Sequence, residues 1–368
     1  MRMMRVARLH QIGGPLLIEE MPVPEPRPTD VLVAVKACGV VPNLKNVLTK
    51  WPEWFPYLPL PKLPAIFGLD PAGVVTAVGS QVLSIRPGDR VYVNPARGCG
   101  SCRACRCGEI VNCRGFTFQG YFGRGPLSQP VFEAYPYGGL AEYVTAPQSA
   151  LVKLPDNVSF EAAARFGYLG TAYAAIRKSG AGPGGTMLIN GIGGTLGLCA
   201  ALVGLAVGVT RILGTGRTQA LLDRVKALAP GRIEVFAVGE RPVHEFMMAA
   251  TGGEGVDAVI DTLPPGAPAR AMLDALQGLR RGGRAVNIGG VAETLPLSVH
   301  WLMGMNIQLI GNCWFNTGEG QALAEMAGAG TLDLSALQHR RIRLADINEK
   351  LSNLQDANAG FNNFVVIP

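Results

Sequence analysis

Four cysteines within a fifteen-residue run constrain this chain more than any other feature of its sequence. Cys99, Cys102, Cys105 and Cys113 follow the spacing C-x2-C-x2-C-x7-C. Thiols at this spacing can close a tetrahedral shell of four sulfurs around zinc, and a closed shell predicts a structural metal rather than a catalytic one. The alternative, disulfides or spare thiols, is disfavoured because we find no secretory leader. Cys107 fits no ligand position and is predicted to be a free thiol.

Size and composition predict a cytoplasmic protein with two domains. The 368 residues are 48% hydrophobic and 16% charged, which is enough apolar material for two cores. The net charge of +6 comes from scattered basic residues, so we expect no nucleic-acid partner. The amino-terminal run MRMMRVARLHQIGGP has no apolar signal segment. The most apolar stretch, 198–213, is too short to span a bilayer and predicts a buried helix followed by a strand.

The pattern of the sequence changes near residue 160. Before it, short alternating segments are separated by proline and glycine turns, which predicts a β-rich, barrel-like domain. After it, apolar strands alternate with glycine turns and helices, which predicts a doubly wound parallel sheet. The predicted strands of that sheet are 187–190, 212–214, 258–261, 285–288 and 307–311. The predicted domains are 1–160, 161–314 and a return to the first domain over 315–368.

A glycine-rich run follows the predicted strand 187–190. Gly191, Gly194 and Gly197 form a G-x-x-G-x-x-G pattern, in which Ile192 takes the first glycine position of the usual G-x-G-x-x-G frame. Glycines that open a helix after a strand let a pyrophosphate approach the backbone amides at the helix start. The residues predicted to bind a dinucleotide here are Gly191, Gly194, Thr195, Leu196 and Gly197.

The next predicted strand bears on which dinucleotide binds. An acidic residue about twenty positions beyond the glycines would bind the ribose hydroxyl of NAD, whereas an arginine accommodates the 2′-phosphate of NADP. Gly216 stands nineteen residues after Gly197 and is followed by Arg217 and Thr218. A guanidinium can pair with the phosphate, so the sequence predicts NADP(H). The alternative is that Arg217 is an ordinary surface arginine.

The chain resembles the medium-chain dehydrogenases/reductases, the zinc-type alcohol dehydrogenase superfamily, over essentially its whole length. The resemblance rests on the cysteine lobe and on the runs VKACGV, FGLDPAGVVTAVGS, RPGDRVYV, GGLAEYVTAP and LVKLPDNVSFEAAA. It implies an α/β protein: a GroES-like catalytic domain carrying one structural zinc in a lobe at about 95–115, and a Rossmann nucleotide-binding domain. It also implies a homodimer or homotetramer formed through the predicted strand 307–311.

The catalytic-zinc ligands of that family are absent from this sequence. The family's cysteine, histidine and third ligand fall at Val41, Leu69 and Gly167, none of which offers a donor atom. Cys38 lies on the other side of Gly39 and is expected to be a packed small residue. We therefore expect no catalytic zinc, and a dry, apolar pocket lined by Val41 and Leu69.

The resemblance places further residues in the cleft between the domains. Asn43 takes the proton-relay position, where its amide could hydrogen-bond a substrate oxygen. Tyr168 is a candidate general acid, or else a tyrosine packed at the domain junction. Asp70 stands for the glutamate beside the family's metal, or else is a hydrogen-bonded structural carboxylate. The residues implied at the nicotinamide end are Thr171, Ile288 and Gly289, with Trp314 closing the other side.

Two aromatic-rich segments predict a pocket for a flat or hydrophobic ligand. They are 51–57, which includes Trp54, and 116–137. The alternative is that these segments pack against each other or across a subunit interface.

Loss of the catalytic metal limits the chemistry. Without zinc, the charge that develops during hydride transfer must be covered by hydrogen-bond donors or delocalised in the substrate. Hydride addition to the β-carbon of an enone gives a delocalised enolate. The sequence therefore predicts NADPH-dependent reduction of an activated C=C bond in a small hydrophobic or aromatic substrate. The alternatives are metal-free carbonyl reduction or alcohol oxidation and, from another class, a non-catalytic NADPH-binding or structural protein.

Overall fold

A computed structural model describes residues 2–239, 241–353 and 360–368 of the chain. Its strands are β1 Met3–Leu9, β2 Leu16–Pro22, β3 Asp30–Gly39, β4 Ala65–Ile66, β5 Asp70–Val78, β6 Arg90–Val93, β7 Ala96–Arg97, β8 Thr117–Phe118, β9 Tyr143–Pro147, β10 Leu151–Lys153, β11 Thr186–Asn190, β12 Arg211–Gly216, β13 Ile233–Ala237, β14 Val256–Asp261, β15 Leu279–Asn287, β16 Gln308–Gly311, β17 Gln338–Arg343 and β18 Asn362–Ile367. Its helices are α1 Leu44–Thr49, α2 Trp51–Trp54, α3 Arg103–Arg106, α4 Ser128–Ala134, α5 Phe160–Ala163, α6 Phe166–Ser179, α7 Thr195–Ala206, α8 Gln219–Lys226, α9 Val243–Ala250, α10 Ala269–Gln277, α11 Val299–Met305, α12 Thr317–Gly328 and α13 Ile347–Asn353. None of the described helices combines the length and apolarity that crossing a bilayer requires.

Strands from both ends of the chain form a largely antiparallel sheet in the order β10-β6-β5-β3-β18-β17, with β9 also paired to β3. Strand β3 is buried along most of its length, and both of its edges are paired, one with β5 and the other with β9 and β18. Strand β18 comes from the other end of the chain and pairs antiparallel with β3, Val365 facing Gly39 and Val366 facing Cys38. The chain therefore returns to its first sheet, while the domain limits 1–160, 161–314 and 315–368 stay a prediction.

The second sheet is parallel and doubly wound, in the order β13-β12-β11-β14-β15-β16. This confirms the predicted Rossmann architecture, and helix α7 followed by β12 confirms the interpretation of the apolar run 198–213. The strand order reverses between β11 and β14, where such sheets form their ligand crevice. Strand β13 was not among the predicted strands, because an edge strand that is only partly buried carries a weak apolar signal.

Helix α6 connects the two sheets and positions the site. It packs against α7, α12 and β15, and it ends at Gly180, whose φ of 72° makes it a left-handed C-cap. At its start, Phe166 lies 5.5 Å from the ring of Tyr92 in β6. This contact holds the first turn of α6 against β6, and Gly167 in the same turn lies against Asp70 at the start of β5.

Candidate active site

Two of the positions of the family's catalytic-zinc ligands, Leu69 and Gly167, adjoin Asp70. Gly39 at the end of β3 pairs with Asp70 at the start of β5. Val41, just after β3, and Leu69, just before β5, therefore lie at the same end of this strand pair, and both are buried. A Cβ on Gly167 would lie 2.7 Å from Oδ2 of Asp70 and 2.8 Å from Cη2 of Trp314, so no ligand side chain has room there without rearrangement. The residues present at these positions do not fit a catalytic zinc.

Asp70 lies beneath this part of the cleft, with only 1% of the residue exposed. Its Oδ1 accepts a 2.7 Å hydrogen bond from the hydroxyl of Tyr92. Burial raises the pKa of the Asp70 carboxyl to about 7, while the Tyr92 hydrogen bond and the charge of Arg165 oppose that shift. This placement fits the structural alternative for Asp70 rather than direct contact with a substrate.

Asn43 and two tyrosines form the polar part of the cleft. Asn43 is half-buried just before α1, and its Oδ1 accepts a hydrogen bond from the hydroxyl of Tyr121. Tyr168 in α6 is also half-buried, with the guanidinium carbon of Arg165 5.5 Å from its ring centre. Burial raises the pKa of Tyr121, and the charge that Tyr168 would carry on ionisation adds to this shift. Burial likewise raises the pKa of Tyr168, and Arg165 opposes the shift.

The two aromatic-rich segments pack against each other, the alternative left open by the sequence. Trp51 stacks on Phe122 with ring centres 4.5 Å apart, and Phe118 lies 5.3 Å from Phe122 and 4.8 Å from Trp314. Trp54, predicted to line the pocket, lies instead on the outer side of α2 and is 47% exposed. Both tryptophans belong to one four-residue helix, so their spacing did not show that Trp51 is the buried one.

A hydrogen bond to Asn94 holds the side chain of Trp314 in place. Its indole Nε1 donates a 3.0 Å hydrogen bond to Oδ1 of Asn94, which also accepts from the backbone amide of Ala96 at 3.1 Å. Since Asn94 directly follows β6, this contact joins the first sheet to the segment that follows β16. The sequence contained no period or motif that singled out Asn94.

The predicted phosphate loop lies between β11 and α7. Gly191 has a φ of 95°, and a Cβ on Gly197 would lie 2.7 Å from the Cα of Ile192, so both positions require glycine. Gly194 precedes α7 and is exposed, and its successors Thr195 and Leu196 begin that helix. The loop therefore fits a pyrophosphate held by the amides at the start of α7.

Hydrogen bonds hold the strand ends beside this loop. The side chain of Asn190 accepts a 2.7 Å hydrogen bond from Oγ1 of Thr215 and donates one of 2.9 Å to Asp261. Oγ1 of Thr215 in turn accepts from the amide of Gly191 at 3.1 Å. The carboxyl ends of β11, β12 and β14 are thus tied together under the crevice.

The end of β12 carries the residues predicted to choose between NAD and NADP. Gly216 is the last residue of β12, Arg217 is exposed, and Thr218 precedes α8. Leu222 of α8 lies 2.9 Å from the position that a Cβ on Gly216 would take. The tip is therefore narrow, offers a guanidinium and carries no carboxylate at these three positions.

The residues implied at the nicotinamide end come together at the carboxyl ends of β14 to β16. Oγ1 of Thr171 donates to the carbonyl of Gly167 at 2.8 Å, and Nδ2 of Asn312 donates to the carbonyl of Thr171 at 3.2 Å. The amides of Ile288 and Gly289 both donate to the carbonyl of Asp261, at 3.0 and 2.9 Å.

The four cysteines form the predicted cluster. The Sγ atoms of Cys99, Cys102, Cys105 and Cys113 all lie within 4.8 Å of one another, and within the described part of the chain no other group of three or more potential metal ligands is found. A ZnS₄ tetrahedron with bonds of about 2.3 Å needs sulfurs roughly 3.8 Å apart, so the cluster fits zinc. The amides of Cys99 and Gly115 each donate to Sγ of Cys113 at 3.3 Å.

The four thiols differ in acidity before any metal binds. The amide of Ser101 contributes most to lowering the pKa of Cys99 to about 6, and the amide of Cys105 does most to lower that of Cys102. Burial raises the pKa of Cys105 to about 12 and also raises that of Cys113. A bound dication deprotonates its thiol ligands, so loading the cluster would release protons.

Comparison with known proteins identifies the family. Residues 27–156 match the alcohol dehydrogenase GroES-like domain, and residues 195–328 match the zinc-binding dehydrogenase domain. Together with the two sheets described above, these matches define an oxidoreductase with a GroES-like and a nucleotide-binding domain. The chain belongs to the zinc-type alcohol dehydrogenase superfamily of medium-chain dehydrogenases/reductases.

Individual relatives extend over most of the chain. An NAD-dependent alcohol dehydrogenase of Sulfurisphaera tokodaii is 29% identical over 97% of this chain and 98% of its own length. An alcohol dehydrogenase of Geobacillus stearothermophilus is 31% identical over 84% of each chain. A zinc-binding dehydrogenase of Sinorhizobium meliloti, solved with bound NADP, has the same fold, with a TM-score of 0.83, 24% identity and 100% of both chains covered.

Proposed function

We propose that this protein reduces an activated C=C bond of a small hydrophobic or aromatic substrate, using NADPH and no catalytic zinc. The observation that carries the proposal is the enclosure of Gly167 by Asp70 and Trp314, which leaves no room for a metal ligand. The other two ligand positions, Val41 and Leu69, lack donor atoms as well. When bound, the dinucleotide supplies the hydride. The chain's own residues must then stabilise the negative charge that appears on the substrate.

Asn43 is the group we assign to that charge. Because its Oδ1 already accepts from Tyr121, its amide is held with Nδ2 as the group available to donate. An amide hydrogen bond suits an enolate oxygen, whose charge is shared with carbon, better than a localised alkoxide. This difference favours conjugate reduction over carbonyl reduction in a site without a metal.

Tyr168 is the proton donor in this proposal. Burial raises its pKa, so the hydroxyl keeps its proton at neutral pH, and Arg165 stabilises the phenolate once the proton has left. The hydride adds to the β-carbon, the C=C electron pair moves onto the enolate, and the proton is delivered to the α-carbon. The sum is addition of one hydride and one proton across the double bond.

The cofactor and metal assignments rest on separate residues. The absence of a carboxylate at 216–218 and the presence of Arg217 support NADPH. The relatives point both ways, since the Sulfurisphaera enzyme is named for NAD and the Sinorhizobium protein carries NADP. The cysteine cluster supports one structural zinc per chain.

Carbonyl reduction is the second candidate, because the relatives are named alcohol dehydrogenases. Asn43 and Tyr168 would then take the place of the metal in stabilising the negative charge of the alkoxide. A non-catalytic role, with NADPH bound but never oxidised, is the candidate from another class.

The deciding experiment follows deuterium from NADPH labelled at the transferable ring position into α,β-unsaturated ketones and aldehydes. Label at the β-carbon supports the proposal, label at the carbonyl carbon establishes the second candidate, and binding without oxidation across the panel establishes the third. Tyr168→Phe should lower kcat about tenfold or more and leave NADPH affinity unchanged. The matched control is Tyr173→Phe, on the same helix beside Arg177, which should keep its activity.

A further inference from the structure

Helix α6 begins without a cap from its own sequence. Its N-cap residue is Arg165, and a guanidinium offers donors only, so this side chain cannot accept from the first amides of the helix. The carboxyl group of Asp70, at the start of β5, takes that role, because it accepts a hydrogen bond from the backbone amide of Gly167. For comparison, α5 is capped locally, where Oγ of Ser159 accepts from the amide of Ala162 at 3.1 Å. Asp70 therefore caps α6 from a neighbouring strand.

Close packing fixes Asp70 relative to the sheet. Its backbone pairs with Gly39 at the end of β3, and a Cβ on Gly39 would lie 3.2 Å from the Cβ of Asp70. On the helix side, a Cβ on Gly167 would lie 2.7 Å from Oδ2 of Asp70. Glycine at both positions lets the strand pair and the first turn of α6 approach the aspartate directly. The cap is therefore anchored in the sheet rather than in the helix that it caps.

The hydroxyl of Tyr92 orients the carboxyl group of Asp70 from β6. It donates the 2.7 Å hydrogen bond to Oδ1, and the tyrosine is completely buried. The ring of Tyr92 has separate contacts, since its centre lies 5.5 Å from that of Phe166 and 6.5 Å from that of Phe315. Removing the hydroxyl alone would leave this packing in place and delete one of the hydrogen bonds that orient the carboxyl group. Tyr92→Phe is therefore a specific probe of the cap.

Tyr168 directly follows the capped amide. Its own amide and that of Leu169 both donate to the carbonyl of Arg165 at 3.2 Å, which places Tyr168 in the first turn of α6. The direction in which this side chain leaves the helix depends on the backbone of that turn, and the ends of helices fray unless their amides are satisfied.

We propose that Asp70 and Tyr92 are positioning residues, which hold the first turn of α6 and so fix where the hydroxyl of Tyr168 meets the substrate. This inference rests on the proposed role of Tyr168 as proton donor. Neither positioning residue touches the substrate or gives up a proton in the reaction. Each acts through Tyr168, because a displaced donor transfers its proton more slowly.

A double-mutant cycle on kcat tests this dependence. We expect Tyr92→Phe to lower kcat about fivefold, with KM and the affinity for NADPH unchanged. In the Tyr168→Phe background the same substitution should lower kcat no further, because the donor that it positions is already absent, whereas a purely structural role would give the same fold loss in both backgrounds. The matched control is Tyr135→Phe, which should keep wild-type kcat. The hydroxyl of Tyr135 also donates to a buried carboxylate, that of Asp30, at 3.4 Å.

Amide hydrogen exchange gives a second readout that does not need turnover. Tyr92→Phe should speed exchange in the first turn of α6, residues 166–169, and leave the rest of the helix as protected as in the wild type. Equal fold losses of kcat in the two backgrounds, or unchanged exchange in the first turn, would overturn the inference. Failure of the proposed function gives a different result: the wild type reduces no C=C acceptor, or Tyr168→Phe alone keeps full kcat. The exchange measurement then still decides whether Tyr92 and Asp70 hold the first turn.

Discussion

The hydroxyl of Tyr92 and the carboxylate of Asp70 are joined by a 2.7 Å hydrogen bond in the interior of the protein, where both residues are almost completely inaccessible. Both oxygens of this carboxylate also face Gly167, and Trp314 closes the same space. An acidic side chain is thereby kept where a third ligand side chain would have to stand. Asn43 and Tyr168 are then the polar side chains proposed to act on a substrate in the adjoining pocket.

Asp70→Asn should change how stability depends on pH. Burial raises the folded-state pKa of Asp70 to about 7, above its usual value near 4, so between these values the native state holds a proton that the unfolded state releases. Wild-type stability therefore falls as pH rises through this window, and the variant lacks that contribution. We expect the unfolding free energy of the variant relative to wild type to increase by about 3 kcal/mol from pH 5 to pH 8. Denaturant unfolding at both pH values measures this, and parallel profiles would contradict it.

Purified protein should contain one zinc per chain by elemental analysis. Cys113→Ser should lose the metal and lower the melting temperature by about 5–10 °C, because binding of a structural zinc contributes to folding free energy. The matched control is Cys107→Ser, since Cys107 is exposed and outside the cluster, and it should keep its zinc. Two zinc ions per chain would refute our interpretation of Val41, Leu69 and Gly167.

Arg217→Ala should weaken NADPH binding about tenfold or more and leave NADH binding unchanged, because only the 2′-phosphate offers the guanidinium a partner. Fluorescence titration of both dinucleotides measures the two affinities. Arg86→Ala, which removes another exposed arginine, should change neither affinity. Equal losses for NADPH and NADH would mean that Arg217 does not read the phosphate.

Association of subunits should depend on the free edge of β16. In the described part of the chain this strand pairs with β15 alone, and its Leu309 is 38% exposed; Val299 and Met303 of the preceding helix α11 are exposed too. We propose that this edge forms the subunit interface, so Leu309→Lys should shift a dimer or tetramer toward smaller species in analytical ultracentrifugation. Leu83→Lys alters a leucine that is 89% exposed elsewhere and should leave the assembly intact. A monomeric wild type would refute the proposal.

The sequence predicted those features that depend on local patterns. Spacings of a few residues predict the glycine loop, the cysteine cluster and most strands of the parallel sheet. The structure contains these features where they were expected. Positive φ at Gly191 and close approach at Gly197 are the physical reasons for that glycine pattern.

Contacts between distant segments were not predictable in the same way. Tyr121 and Asn43 are separated by 78 positions, and the donors and acceptors around Asn94 and Trp314 by 220. No period links such residues, because their proximity depends on how the two sheets are arranged around α6. The prediction that Trp54 lines the pocket was wrong for a related reason. A single helical turn has no apolar period that could indicate whether Trp51 or Trp54 is on its buried side.

The position of β18 has a consequence for biosynthesis. The strands of the parallel sheet, β11 to β16, all leave the ribosome before β18, and they have their hydrogen-bonding partners among themselves. The first sheet is different, because β18 lies between β3 and β17 and is translated after both. The nucleotide-binding sheet can therefore assemble on the nascent chain. In β3, residues 30–34 can pair early with β9, but Cys38 and Gly39 lack their partners Val366 and Val365 until those residues have been translated. During that interval the carboxyl end of β3 is an unpaired strand edge with which another chain could pair.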